Sequence, residues 1–277
     1  FLEKSLNFIK NHVRKRPNQP FFLFHSTQAV HLPSFPADQF KGKTTAGPHG
    51  DFIFELDAIV GTLTETLENL GIADRTLVLF SSDNGPEVTP TIRMRTDYGH
   101  DGARPWRGMK RDGWEGGHRV PLIASWPGKI KAGSTTDQIL SLTDIMATLA
   151  ALINASLPNT AAEDSINFLP VLLGTQGEKP IRNYLLQQTN QLALSIRKGP
   201  WKYLNHRGSG GNRYNQARLQ RFVLPETAPE APGQLYNLEL DPGETKNLYF
   251  ERPDILQKLR TQLDHYVNSG RSAPVRK

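Results

Sequence analysis

At 277 residues, 37% hydrophobic and 22% charged, the chain can bury a core of one large or two ordinary domains and is too apolar for wholesale disorder. It has no cysteine, which excludes disulfides, thiolate metal sites and a cysteine nucleophile in these residues, and no apolar run approaches the ~20 residues of a membrane span. A net charge of +6 favours polyanionic partners, but only Arg14-Lys15-Arg16 and Lys110-Arg111 are tight basic clusters, and without an aromatic-rich motif beside them nucleic acid is not expected.

Leu2, Leu6, Ile9 and Val13 recur at helical spacing, and Pro17 stops the helix with Arg14 to Arg16 at its negative end. The pattern is under way at Phe1, without the basic start and apolar core of a signal peptide, so a portion of a longer protein is expected. Residues 21–24 read as a short buried strand, and the proline-rich 28–48 as irregular loop. From Asp51, the positions Ile53, Leu56, Ile59, Val60, Leu63, Leu67 and Leu70 form one face of a long helix, with Gly71 as its C-terminal cap. Leu77-Val78-Leu79-Phe80 predicts a strand buried on both faces of a parallel sheet.

Residues 81–117 are polar and glycine-rich, with no regular structure predicted. A strand follows at 120–125 and a helix at 142–153, giving the strand–helix rhythm of an α/β sheet with crossover helices. Beyond residue 180 the short runs at 184–186, 192–196, 201–204 and 234–237 read as hairpin strands, and 255–267 as a closing helix. The expected division is an α/β portion, 1–180, and a small antiparallel α+β subdomain, 181–277.

In such sheets ligands bind beyond the carboxyl ends of the strands. The Leu77–Phe80 run leads directly into Ser81-Ser82-Asp83-Asn84-Gly85-Pro86. A carboxylate beside an amide carbonyl offers two hard oxygens, suited to Ca2+ or Mg2+ and poorly suited to zinc. The same residues are also plain turn chemistry. Next, Arg107-Gly108-Met109-Lys110 precedes Trp114-Glu115-Gly116-Gly117-His118-Arg119-Val120-Pro121. A lysine in a glycine-rich loop can set its ammonium against an oxyanion as a compact charge. Glu115 and Arg119 read as an ion pair bracing that loop, and the paired glycines as close backbone packing. His31, in Ala29-Val30-His31-Leu32-Pro33, is a loop histidine able to act as a general acid or as a hydrogen-bond donor to an anion. His25, His49 and His118 read as structural or solvent-facing.

Taken in order, these segments resemble the type I sulfatases, the formylglycine-dependent arylsulfatase family. The likeness rests on the His-x-Pro loop at His31, the Ser-Asp-Asn-Gly-Pro turn at Asp83, and Gly-x-Lys followed by Glu-Gly-Gly-x-Arg-Val-Pro from Gly108 to Pro121. Ser141-Leu142-Thr143-Asp144-Ile145 and the late Leu235-Tyr236-Asn237-Leu238 with Asp241-Pro242-Gly243-Glu244 extend it.

The resemblance implies an α/β fold: an alkaline-phosphatase-like mixed sheet flanked by helices, with a small C-terminal antiparallel β-sheet plus helix subdomain. It implies hydrolysis of sulfate esters, and the basic charge with the Arg/His-rich 93–107 loop favours a sulfated carbohydrate. Asp83 and Asn84 would be two ligands of one divalent cation, calcium or else magnesium. Lys110 would contact the sulfate and its bridging oxygen, and His31 would stabilise or protonate the departing alcohol. His100, Arg104 and Arg107 are the candidate substrate contacts. The family's setting implies export.

The departures are as informative. The family's formylglycine arises from Cys or Ser in Cys/Ser-x-Pro-x-Arg, upstream of this region, as do an Asp pair completing the metal site and a Lys-x-His pair flanking the sulfate. None of these is present, so the implied partner is an N-terminal half of the same protein, and the chain alone is expected to be inactive. Ser272-Ala273-Pro274-Val275-Arg276 matches the bare nucleophile pattern but follows the family's last element. A phosphoesterase or phosphonate hydrolase of the same superfamily, a catalytically inactive sulfated-glycan-binding relative and a purely structural fragment stay open.

Overall fold

The computed structural model describes residues 1–276, which form two compact units: one of 1–80, 87–102 and 123–129, the other of 81–86, 103–122 and 130 onward.

In the first unit, α1 (Leu2–Lys15) buries Ile9 against Leu67 and Ile72, with Val13, Phe21, Leu23 and Val78 packed around them. Leu67 belongs to α2 (Gly47–Asn69), which begins before the expected Asp51 because Pro48 supplies a preset first turn. Its end is as expected: Gly71 takes a φ of +64°, its N–H donates to Glu68 O at 2.9 Å, and Ile72 N–H reaches Leu67 O at 3.0 Å. Residues 21–24 are not a strand. Phe21 and Leu23 pack inward while Phe22 and Phe24 are 70% and 78% exposed, a period-two extended segment with no ladder partner among the described residues. Next, β1 (Val78–Ser81) pairs with β2 (Leu122–Ser125) as a two-stranded sheet. Here too the expectation of a strand buried on both faces fails, since every residue of β1 is only half-buried. A helix not foreseen, α3 (Val88–Asp97), starts at Glu87, whose carboxylate accepts from Val88 N–H at 2.8 Å.

The second unit opens with the single turn α4 (Glu115–His118). The helix expected at 142–153 forms as a 3-10 turn, Leu142–Asp144, running into α5 (Ile145–Leu152). Ser141 and Asp144 make a reciprocal capping box, and Asp144, fully buried, also binds Ile166 N–H and the Arg182 guanidinium. After α6 (Leu169–Leu172) come four antiparallel strands in sequence order: β3 (Leu185–Gln188), β4 (Leu194–Lys198), β5 (Trp201–Leu204) and β6 (Gln234–Asn237). The short α7 (Ala217–Gln220) lies in the β5–β6 connection. Ile196 pairs with Tyr203 and Tyr203 with Leu235, which sets the core-facing register. The final helix, α8 (Pro253–Ser269), lays Leu256, Leu259 and Leu263 on Ile196, Leu235 and Tyr249. Each buried leucine contributes about 2 kcal/mol, so one leucine stripe suffices to hold the sheet's face.

Candidate active site

The loop leaving β1 is ordered by its own hydroxyls: Ser81 donates to Pro121 O at 2.7 Å, and Ser82 to Asn84 O at 3.0 Å. Asn84 Nδ2 donates to Gly85 O at 2.9 Å, which leaves the amide oxygen as the acceptor end of the group. Asp83 beside it is exposed. A carboxylate and an amide oxygen on adjacent residues fit a hard cation such as Ca2+, which takes six to eight oxygens. Among the described residues no group of three or more His, Cys, Asp or Glu side chains surrounds that pair.

Two backbone hydrogen bonds tie this loop to the one carrying Lys110: Gly85 N–H to Gly117 O at 3.0 Å, and Lys110 N–H to Pro86 O at 2.9 Å. Gly116 N–H closes the Lys110 loop on itself, donating to Arg107 O at 2.7 Å. The approach is possible only for glycine. A Cβ on Gly85 would lie 1.9 Å from Gly116 O, one on Gly116 2.4 Å from Gly108 O, and one on Gly117 2.2 Å from Asp112 O. The expected metal pair and sulfate lysine therefore share one stapled double loop.

A buried charge cluster braces this double loop. Glu115 accepts from Lys202 at 2.8 Å, Arg197 at 3.2 Å and Arg119 at 2.9 Å, and Glu244 accepts the Glu115 N–H at 2.7 Å. Burial would raise the Glu115 carboxyl, but these three cations overcome it and hold the group down at about 2. Glu244 has the opposite fate. It is wholly buried, Lys202 lies 3.5 Å away, and desolvation pushes it up to about 7. One ammonium cannot neutralise two carboxylates, and the nearer one takes it. Burial with Lys202 nearby also lowers His118, to about 4, so its ring is neutral.

Arg107, foreseen as a grip on substrate, has another occupation: its guanidinium stacks on Trp114 at 3.7 Å and donates to Glu244 O at 2.8 Å and Tyr236 Oη at 3.3 Å. Arg104 is exposed in the same unit. His31 and His100 belong to the first unit and are both exposed. His31 Nδ1 lies 2.8 Å from Leu32 O. Because a carbonyl only accepts, Nδ1 carries the proton and Nε2 is the nitrogen left for chemistry. At the C-terminus, Ser272 Oγ donates to Asp164 at 2.6 Å and Arg276 to the carbonyls of Pro158, Ala161 and Ala162, a structural use of the nucleophile-like pattern.

Sequence reasoning did not assign roles to Lys202, Glu244, Asp112 or Asn212. The one available signal was Lys202 itself, a charge inside the apolar run Trp201-Lys202-Tyr203-Leu204.

Comparison with known proteins identifies the family. The sulfatase family profile matches residues 1–155, and the profile for the N-sulphoglucosamine sulphohydrolase C-terminal region matches 108–269. The chain is 34% identical over 94% of its length to an N-acetylgalactosamine-6-O-sulfatase of Bacteroides thetaiotaomicron, covering 49% of that protein. It is 35% identical over 95% of its length to Homo sapiens arylsulfatase A, covering 53% of it. A solved structure from work on glycosaminoglycan metabolism by Bacteroides thetaiotaomicron, BT33336S-sulf, superposes with a TM-score of 0.80 at 33% identity, over 95% of this chain and 54% of that one. The chain thus spans about half the length of the curated relatives it matches. The fold is alkaline-phosphatase-like, and the chain belongs to the sulfatase family.

Proposed function

We propose that this chain supplies part of the metal and sulfate site of a sulfuric ester hydrolase acting on sulfated carbohydrate. The observation that carries the reading is the staple of Gly85 to Gly117 and Lys110 to Pro86, which makes the Asp83–Asn84 turn and the lysine one rigid element. Asp83 and Asn84 give two oxygens to the cation, Ca2+ in preference to Mg2+, and a complementary N-terminal half of the protein gives the rest. When bound, the cation neutralises charge on the sulfate oxygens, and a formylglycine outside these residues provides the nucleophile. Lys110 sets its ammonium against the sulfate where charge develops, the kind of contact that matters most in a preorganised site. Carrying a proton on Nε2 as well as on Nδ1, the His31 ring stabilises or protonates the departing oxygen. Arg104 and His100, both exposed, contact the sugar, while Arg107 braces the loop. Residues 181–277 act as the bracing subdomain.

A carbohydrate substrate is supported by the name of the N-acetylgalactosamine-6-O-sulfatase relative and by the chain's net charge of +6. An exported setting follows the family, and cell fractionation tests it. No helix among the described residues is long and apolar enough to cross a membrane.

The decisive experiment is Lys110→Ala in the full-length protein, assayed on paired sulfate and phosphate esters. A fall in kcat of at least ~100-fold on the sulfate ester is expected, the scale of one lost oxyanion contact. Near-normal turnover would remove Lys110 from the site, and a preference for the phosphate ester would replace the sulfatase reading with a phosphoesterase.

A further inference from the structure

The turn that presents Lys110 is held from outside by a second turn, at 209–214, in the long β5–β6 connection. Asp112, fully buried two residues after the lysine, accepts four hydrogen bonds. They come from Met109 N–H at 2.9 Å within its own turn, and from Tyr214 Oη at 2.7 Å, Asn212 Nδ2 at 2.8 Å and Asn212 N–H at 3.2 Å in the other. Asn212 Nδ2 also donates to the carbonyl of Lys110 itself at 2.9 Å, and Asn212 Oδ1 accepts from Arg111 Nε at 3.3 Å. Gly113 N–H to Ser209 O, at 2.6 Å, closes the far end. The two turns touch so closely that a Cβ on Gly211 would sit 1.9 Å from Arg111 O. Between them Arg111 is held at a φ of +84°, a conformation a non-glycine residue keeps only where its surroundings over-determine it.

A lysine is a flexible four-carbon stem, and its backbone origin must be fixed for the ammonium to be preorganised. The Tyr214 ring anchors residues 209–214 by packing on Trp114 among Leu204, Tyr236 and Leu238, and from that anchor one asparagine side chain bonds to Lys110, Arg111 and Asp112 together. We infer that Asn212, with Asp112 and Tyr214, is a positioning residue for Lys110. This rests on the proposed role of Lys110 at the sulfate. It makes the C-terminal subdomain a working part of the site.

The test is a double-mutant cycle in the full-length protein with p-nitrophenyl sulfate as the probe. Asn212→Ala is expected to lower kcat by about 10- to 100-fold, the scale of a misplaced catalytic group, with a smaller change in KM. In a Lys110→Ala background the same substitution is expected to change kcat by less than about twofold, because its target is gone. Tyr214→Phe, which removes one hydroxyl, should repeat both results with a smaller loss, and it carries the cycle if Asn212→Ala does not fold. Losses that multiply across the cycle would overturn the inference, since a purely structural role acts whether or not Lys110 is present. So would an Asn212→Ala enzyme with normal kcat beside a slow Lys110→Ala enzyme. If Lys110→Ala is itself fast, the Lys110 reading fails and this inference falls with it, an outcome distinct from the other two.

Discussion

Arg197 and Lys202 stand directly opposite each other on β4 and β5, and both donate to the single carboxylate of Glu115. Like charges at opposed cross-strand positions repel. The shared carboxylate converts that repulsion into a clamp, and it fastens α4 to the C-terminal sheet. Lys202 is fully buried, whereas the Arg197 arm keeps 19% of its side chain exposed.

Replacing that lysine removes the nearest cation from two buried carboxylates at once. Lys202→Met is expected to destabilise the protein by about 3–5 kcal/mol, the cost of leaving buried charge uncompensated. A urea titration measures it, and an unchanged midpoint would show that the clamp carries no net stability.

The two glutamates give the second unit a pH profile with opposite limbs. Glu244 rises from an ordinary 4.5 to about 7, so the folded protein holds its proton more tightly than the unfolded chain. Its contribution is complete below 4.5 and is lost as pH rises through about 7, roughly 3 kcal/mol in all. Glu115 is the reverse: held down at about 2, it stabilises above 4.5 and fails as pH falls towards 2. Glu244→Gln should flatten the melting temperature between pH 4.5 and 7 and leave the acid limb intact. An unaltered slope in that window would assign it to another group.

Asp83→Asn is expected to weaken divalent-cation binding by the full-length protein, since a neutral oxygen replaces a charged one. Elemental analysis of the purified variant after exhaustive dialysis reads this directly. Unchanged calcium content would take Asp83 out of the site.

Two glycines make a paired prediction. Gly85→Ala puts a methyl 1.9 Å from Gly116 O, so the two loops must part, with an expected cost of about 1–3 kcal/mol and reduced turnover. Gly61→Ala, inside α2 with open space around it, is expected instead to stabilise by up to about 1 kcal/mol. Calorimetry of both variants checks the contrast, and equal effects would discredit the close-approach argument.

What could be read from sequence was local. The period of Ile255, Leu259, Leu263 and Val267 placed α8, and Gly71 marked the end of α2, because a helix hydrogen-bonds within itself. Residues 21–24 misled for the converse reason: their apolar run satisfies strand propensity, but a strand also needs a neighbour that no local pattern supplies. Helix α3 was missed because Pro90 and the polar residues around it hid a start signal that depends on Glu87 capping. Within the candidate site, Asp83, Asn84 and Lys110 were visible through motif order. Arg107 was misjudged because its partners, Tyr236 and Glu244, lie more than a hundred residues away in sequence. Asn212 was invisible for the same reason, and Lys202 showed only as a charge in an apolar run, as their meaning comes from the register of the sheet and the reach of one connection.

The glycine staple has a bearing on how this scaffold could be re-engineered. One carbonyl, that of Gly116, sits where a Cβ on Gly85 would stand, and two more crowd Gly116 and Gly117 from within their own loop, so the two loops translate together and cannot be tuned one against the other. Libraries randomised at Gly85, Gly116 or Gly117 would return clones that have lost the element altogether. Diversity placed at the exposed His100 and Arg104 would leave the stapled loops untouched.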